Sequence, residues 1–108
     1  MRVPAVTIAR VTPRRVVNGQ SVTFRGRVRG LPVPAGSKLV EVQVRLSGHW
    51  QTFRTTRTDA AGRWTSRYRF RRTVGVLYYR FRVRLPREAG YPFETGFSGP
   101  LVVRVRGR

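Results

Sequence analysis

The strongest constraint in this sequence is a period-two alternation of apolar and polar residues that recurs along its length, cut at short intervals by Gly, Pro, Asn and Asp. A side-chain period of two puts successive residues on opposite faces of an extended chain, so each alternating run predicts a strand with one face buried. Ser21–Arg29 is the clearest run. Val22, Phe24, Gly26 and Val28 share one side, and Thr23, Arg25, Arg27 and Arg29 the other. Lys38–Ser47 places Val40, Val42, Val44 and Leu46 opposite Glu41, Gln43 and Arg45. Arg63–Arg71 places Trp64, Ser66, Tyr68 and Phe70 opposite Thr65, Arg67, Arg69 and Arg71. Val76–Leu85 sets Leu77, Tyr79, Phe81, Val83 and Leu85 against Tyr78, Arg80, Arg82 and Arg84. In the last run Leu101, Val103 and Val105 oppose Arg104 and Arg106, while Pro4–Arg10 and a less regular Trp50–Arg57 complete a set of seven.

The interruptions carry turn chemistry. Asn18-Gly19 offers two residues that tolerate positive φ, and Thr58-Asp59-Ala60-Ala61-Gly62 pairs a carboxylate able to accept backbone amides with a glycine. Ser47-Gly48-His49 reads as a hairpin turn, and Gly30–Gly36 and Pro86–Gly96 as loops. Turn signals every 8–12 residues or so, with no sustained helical period, predict an all-β sandwich or barrel. The expected core is Val22, Phe24, Val28, Trp64, Tyr68 and Phe70 against Leu77, Tyr79, Phe81, Val83, Val103 and Val105. At 108 residues, without repeats or low-complexity tracts, the chain reads as a single domain over 1–108. Arg interrupts every apolar run well short of the roughly 20 residues that span a bilayer. Met1-Arg2-Val3-Pro4 does not read as a signal peptide.

Two of these segments resemble bacterial immunoglobulin-like domains of secreted and cell-wall proteins of high-GC Gram-positive bacteria. Val17-Asn18-Gly19-Gln20-Ser21-Val22-Thr23-Phe24-Arg25-Gly26 looks like the approach to their second strand, and Thr58-Asp59-Ala60-Ala61-Gly62-Arg63-Trp64 like their Thr-Asp-x-x-Gly-x-aromatic turn. The resemblance implies a seven-stranded immunoglobulin-like or fibronectin-III-like β-sandwich, a secreted or cell-surface location, and a spacer or adhesive role without catalytic residues. Tyr79, two residues before Phe81, resembles the tyrosine-corner position, with Phe81 where antibody domains carry cysteine. The third strand departs from the antibody pattern, because no Trp lies between Lys38 and Ser47; Trp50 and Trp64 are the candidates to fill that volume.

The residue inventory points away from an enzyme. With no Cys and one His, a thiolate or typical zinc site is not expected, and no cofactor motif is present. Glu41, Asp59, Glu88 and Glu94 are scattered, which suits salt-bridge and turn roles better than acid–base catalysis.

Charge gives the functional expectation. Lys and Arg number 23 against 4 Asp and Glu, a formal charge of +19, and Lys38 is the only lysine. Arg makes planar bidentate contacts with phosphate, sulfate and carboxylate; a GC-rich genome also favours Arg over Lys, but does not explain the scarcity of acids. In an immunoglobulin-like sandwich, Arg25, Arg27 and Arg29 would lie beside Arg67, Arg69 and Arg71 on one face. Arg80, Arg82 and Arg84 would lie beside Arg104 and Arg106 on the other, with Arg45 across from them. These ladders, without interleaved Glu, predict a monomeric module that binds anionic polymers by charge: surface polysaccharide, teichoic acid or nucleic acid, and membranes only through anionic headgroups. A spacer whose arginines merely block edge pairing, and a nucleic-acid binder without sequence preference, are the alternatives. Tyr91 and Phe93, in the long loop, are candidate stacking faces for a sugar or base.

Overall fold

Alternation needs a partner face to bury against, and the chain supplies two. The structure is a computed structural model describing residues 5–29, 38–88 and 94–107. Among them, regular structure is entirely β: β1 (Val6–Thr12), β2 (Arg15–Val17), β3 (Ser21–Arg29), β4 (Leu39–Leu46), β5 (His49–Arg57), β6 (Arg63–Arg69), β7 (Val76–Leu85), β8 (Gly96–Phe97) and β9 (Leu101–Arg106). One sheet has the order β1-β3-β6, the other β2-β9-β7-β4-β5, with β8 on β7. All pairings are antiparallel except β2 with β9. The seven long strands overlap the seven expected runs, with β1 set two residues later than expected and β6 ending two earlier, and the two short ones lie in stretches that alternation cannot resolve.

The inward faces meet in one cluster. Val22, Phe24 and Val28 of β3, with Trp64 and Phe70, are buried against Phe81, Val83, Val103 and Val105 of the other sheet. Phe24 and Phe81 meet edge to face with centroids 5.0 Å apart. Phe53, Tyr68, Phe70 and Tyr79 continue the aromatic contacts at 5.0–6.3 Å. Tyr68 and Tyr79 are half-buried at the margin of the cluster. Gly26 is part of the same packing. A Cβ there would lie 2.3 Å from the Ile8 carbonyl oxygen and 2.4 Å from the Trp64 ring, so the missing side chain is what lets the Trp64 ring pack against β3. The Trp64 indole N–H donates to Thr7 Oγ1 at 3.1 Å.

Three expectations are corrected. Leu77 is 45 % exposed. It pairs with Val105 but lies two residues beyond Tyr79, the last side chain of β7 to pack against the cluster. Trp50 is not core: it pairs with Arg45 on the outer face of β4 and β5. At Asn18-Gly19 only the glycine takes positive φ, 96°. Asn18 works through its amide instead, donating to the Thr73 carbonyl at 2.8 Å and accepting the Thr73 N–H at 3.2 Å.

Other turns follow their residues. Ser47 and Gly48 both have positive φ, the two-residue hairpin geometry whose twist suits paired strands, and His49 begins the return strand. Asp59 Oδ1 accepts the amides of Ala61 and Arg63, each at 2.9 Å. β5 reads irregularly because its register against β4 shifts between Val42 and Gln43, leaving Phe53 as an extra residue.

Truncating Phe81 to Ala should cost about 3–5 kcal/mol, the range for a large buried aromatic, whereas Leu77→Ala should cost less than about 1 kcal/mol. Urea denaturation of the two variants measures the difference, and equal losses would contradict the packing described.

Candidate polyanion-binding surface

With so few carboxylates, their placement decides which arginines stay uncompensated. Glu41 on β4 pairs with Arg84 on β7 at 2.5 Å. Glu88 pairs with Lys38 at 2.9 Å and with Arg57 at 3.6 Å, and Glu94 with Arg87 at 3.8 Å. Asp59 is held in its turn. Only Asp59 touches the β1-β3-β6 sheet, and there it meets the backbone amide of Arg63 rather than a guanidinium.

On that sheet the outward positions of the three strands converge. Arg10↔Arg25 and Arg27↔Arg63 are direct cross-strand partners. Arg29, Arg67 and Arg69 flank them, opposite Val6, Thr23 and Ser21 respectively. All these arginines are exposed, and among the described residues none has a carboxylate partner. From the row of Arg29 to that of Ser21 the face spans the nine residues of β3, about 27 Å at about 3.4 Å per step. Directly opposed like charges are destabilising, so two such pairs side by side make a face that gains from a bound anion.

The opposite face is different. Arg82, expected in an open ladder, lies between two rings, 4.4 Å from the Trp50 centroid and 4.2 Å from that of Phe97, and its Nε donates to Gln43 Oε1 at 2.7 Å. Burial, then the charges of Arg84 and Arg45, lower its pKa from the ordinary arginine value. Arg84 is held by Glu41, and Arg45 lies 5.9 Å from the Trp50 ring. The expected run without interleaved Glu is therefore corrected: Glu41 and Gln43 stand directly opposite Arg84 and Arg82. Arg80 faces Val102, Arg104 faces Tyr78, and Arg106 faces Val76, so no arginine of β7 opposes one of β9.

Some residues fall elsewhere than expected. Arg71 lies past the end of β6, in an open cleft of about 1000 Å³ at one end of the sandwich, with Arg69, Arg72 and Arg106 also in its lining. Tyr91 and Phe93 lie outside the described residues. Arg10 and Arg63 join the face although the sequence reading passed over them; they occupy outward positions of runs it had recognised, and only the strand order was needed to place them. Arg15 was missed because β2 is only three residues long; it lies beside Arg104 in the parallel pairing. Arg72 follows the alternating run and has no signal of its own.

Among the described residues no group of His, Cys, Asp and Glu could hold a metal ion, and no helix is long and apolar enough to cross a membrane. Comparison with protein-family models and with curated proteins finds no match for this chain.

Among the described residues Lys38 is the most buried charge, fully enclosed, with Nζ donating to Glu88 and to the Pro86 carbonyl. Burial alone would raise the Glu88 carboxyl; the Leu39 amide, Lys38 and Arg57 more than offset it and hold its pKa below the ordinary value. A depressed carboxylate contributes stability above its unfolded pKa, about 4.3, and that contribution is lost as pH falls through the lower folded value. The melting temperature should therefore drop on acidification below about pH 4. Glu88→Gln should destabilise the fold at neutral pH, by taking the carboxylate away from the buried ammonium, and should remove the Glu88 part of the acid dependence. Thermal melts from about pH 7 to pH 3 test both, and an unchanged acid limb in the variant would contradict the assignment.

Proposed function

We propose that this chain is a non-enzymatic immunoglobulin-like module, secreted or cell-surface, that binds anionic polymers electrostatically through the outer face of its β1-β3-β6 sheet. The supporting observation is the uncompensated cluster built around the opposed pairs Arg10↔Arg25 and Arg27↔Arg63. Its ligands are polymers with closely spaced sulfates, phosphates or carboxylates, and binding of this kind is blind to sequence.

The strand order supports the immunoglobulin-like part of the reading. The second and fifth long strands share one sheet, and the third, sixth and seventh share the other. β5 pairs with β4, so the fourth long strand joins the larger sheet, as the extra strands of variable-type domains do. Phe24 and Phe81 meet between the sheets on the strands that carry the disulfide in antibody domains. The Tyr79 hydroxyl lies 3.0 Å from Thr73 Oγ1, six residues upstream, a side-chain variant of the tyrosine corner.

Binding to heparin or duplex DNA should weaken steeply with salt. For DNA, engagement of about four to six phosphates gives a slope of log K against log[salt] of about −4 to −5. Replacing Arg10, Arg25, Arg27, Arg63 and Arg67 with Gln should flatten that slope by more than half, while replacing Arg82 and Arg84 should change it little. At low salt the five-fold variant should also melt at a higher temperature than the wild type, because cross-strand repulsion is relieved. A wild-type protein that binds none of DNA, heparin or teichoic acid at about 50 mM salt would leave only a spacer role.

A further inference from the structure

A second surface combines charge with exposed apolar side chains. In a chain this cationic, the segment 74–78 stands out. Val74 is 76 % exposed and Tyr78 66 %, and Val76 and Leu77 are each 45 % exposed. These residues occupy one end of the sandwich, where β7 begins after the turn at Gly75, whose φ is 69°. Val17, 38 % exposed, lies in the same row: both it and Val76 pair with Arg106 of β9.

The end is held in place by backbone contacts. The Gly107 N–H donates to the Gly75 carbonyl at 2.7 Å, and the Asn18 side chain clamps both backbone groups of Thr73. The apolar side chains are thus presented on an ordered turn, so burying them against a partner costs little further backbone entropy. Val74 also lines the end cleft, together with Arg69, Arg71, Arg72 and Arg106. Among the described residues that lining contains no carboxylate.

We infer that this end is a docking site for an anionic lipid bilayer, with Val74, Val76 and Tyr78 at the acyl–headgroup boundary and the cleft arginines on the lipid phosphates. The two halves of the site favour one occupant. A soluble polyanion would satisfy the arginines but leave the apolar tip in water, and a neutral apolar partner would strand the arginines. An anionic membrane surface offers acyl chains at the depth of the tip and phosphates in the plane around it, and an aromatic phenol such as Tyr78 suits the interface between them. Each basic residue near such a surface strengthens binding, and the apolar contribution persists where salt screens the charges. The site adjoins the arginine face of β1-β3-β6, sharing Arg69 at its edge, but its apolar tip lies off that face and does not depend on that face binding polymers.

The test uses vesicles of phosphatidylcholine with about 30 % phosphatidylglycerol, at about 150 mM salt, and heparin affinity as the control. Val74→Ser with Tyr78→Ser should weaken vesicle binding by on the order of tenfold and, adding no charge, leave heparin elution unchanged. Arg71→Gln with Arg72→Gln should weaken it by a similar factor. In Val74→Trp, tryptophan emission should shift to the blue on bound vesicles. Three results would each overturn the inference: vesicle binding unaffected by the Val74 and Tyr78 changes, a parallel loss of heparin and vesicle binding, or no emission shift from bound Val74→Trp. Retention on heparin without any vesicle binding would overturn it as well, and would leave the polymer-binding reading standing.

Discussion

The rest of the structure depends on the contact between Phe24 and Phe81, which carries the join between the two sheets. A domain of this size without disulfides has to hold its layers together by burial alone. The aromatic cluster around that contact provides it: Tyr68 and Phe70 from the β6 side of the sandwich and Phe53 and Tyr79 from the larger sheet extend it. Each ring buries a large area and also meets its neighbours at an angle that an apolar pair of the same size would not gain from. Gly26 belongs to this arrangement, since it gives Trp64 the room to lie against β3.

Charge acts against this core and is managed unevenly. Three carboxylates are engaged in ion pairs on or beside the larger sheet and in its flanking loops, and the fourth caps a turn. Trp50 and Phe97 cover Arg82, so the larger sheet meets solvent with much of its central charge already satisfied. The three-stranded sheet receives none of that compensation. Its arginines raise the free energy of the folded state at low salt, and an anion that bridges them removes the same repulsion. In the proposed function, stability and binding are therefore linked through one set of side chains.

Most of the fold was legible because alternation is a local property. The core positions on β3, β4 and β9 follow directly from it, and so does the outward direction of Arg25, Arg27, Arg80 and Arg104. What alternation cannot give is register. Arg25 meets Thr65 and Arg10, not Arg67, and the site is built from pairs that only the strand offsets reveal. It also cannot say where a sheet outruns its partner, so Leu77 reads as core although it projects at the open end. Short strands such as Arg15–Val17 hold too few residues for a period to show. The buried Lys38 was hidden for another reason: its partner Glu88 lies in a distant loop, and a lone lysine at the start of a strand reads as solvated.

The most direct measurement of the central claim is an NMR titration that follows the arginine side-chain Nε–H signals as a heparin oligosaccharide is added at low salt. The signals of Arg10, Arg25, Arg27, Arg63 and Arg67 should move first and together. Those of Arg82 and Arg84, already bound to Gln43 and Glu41, should move least. Early shifts at Arg82 and Arg84 with a silent β1-β3-β6 face would contradict the account.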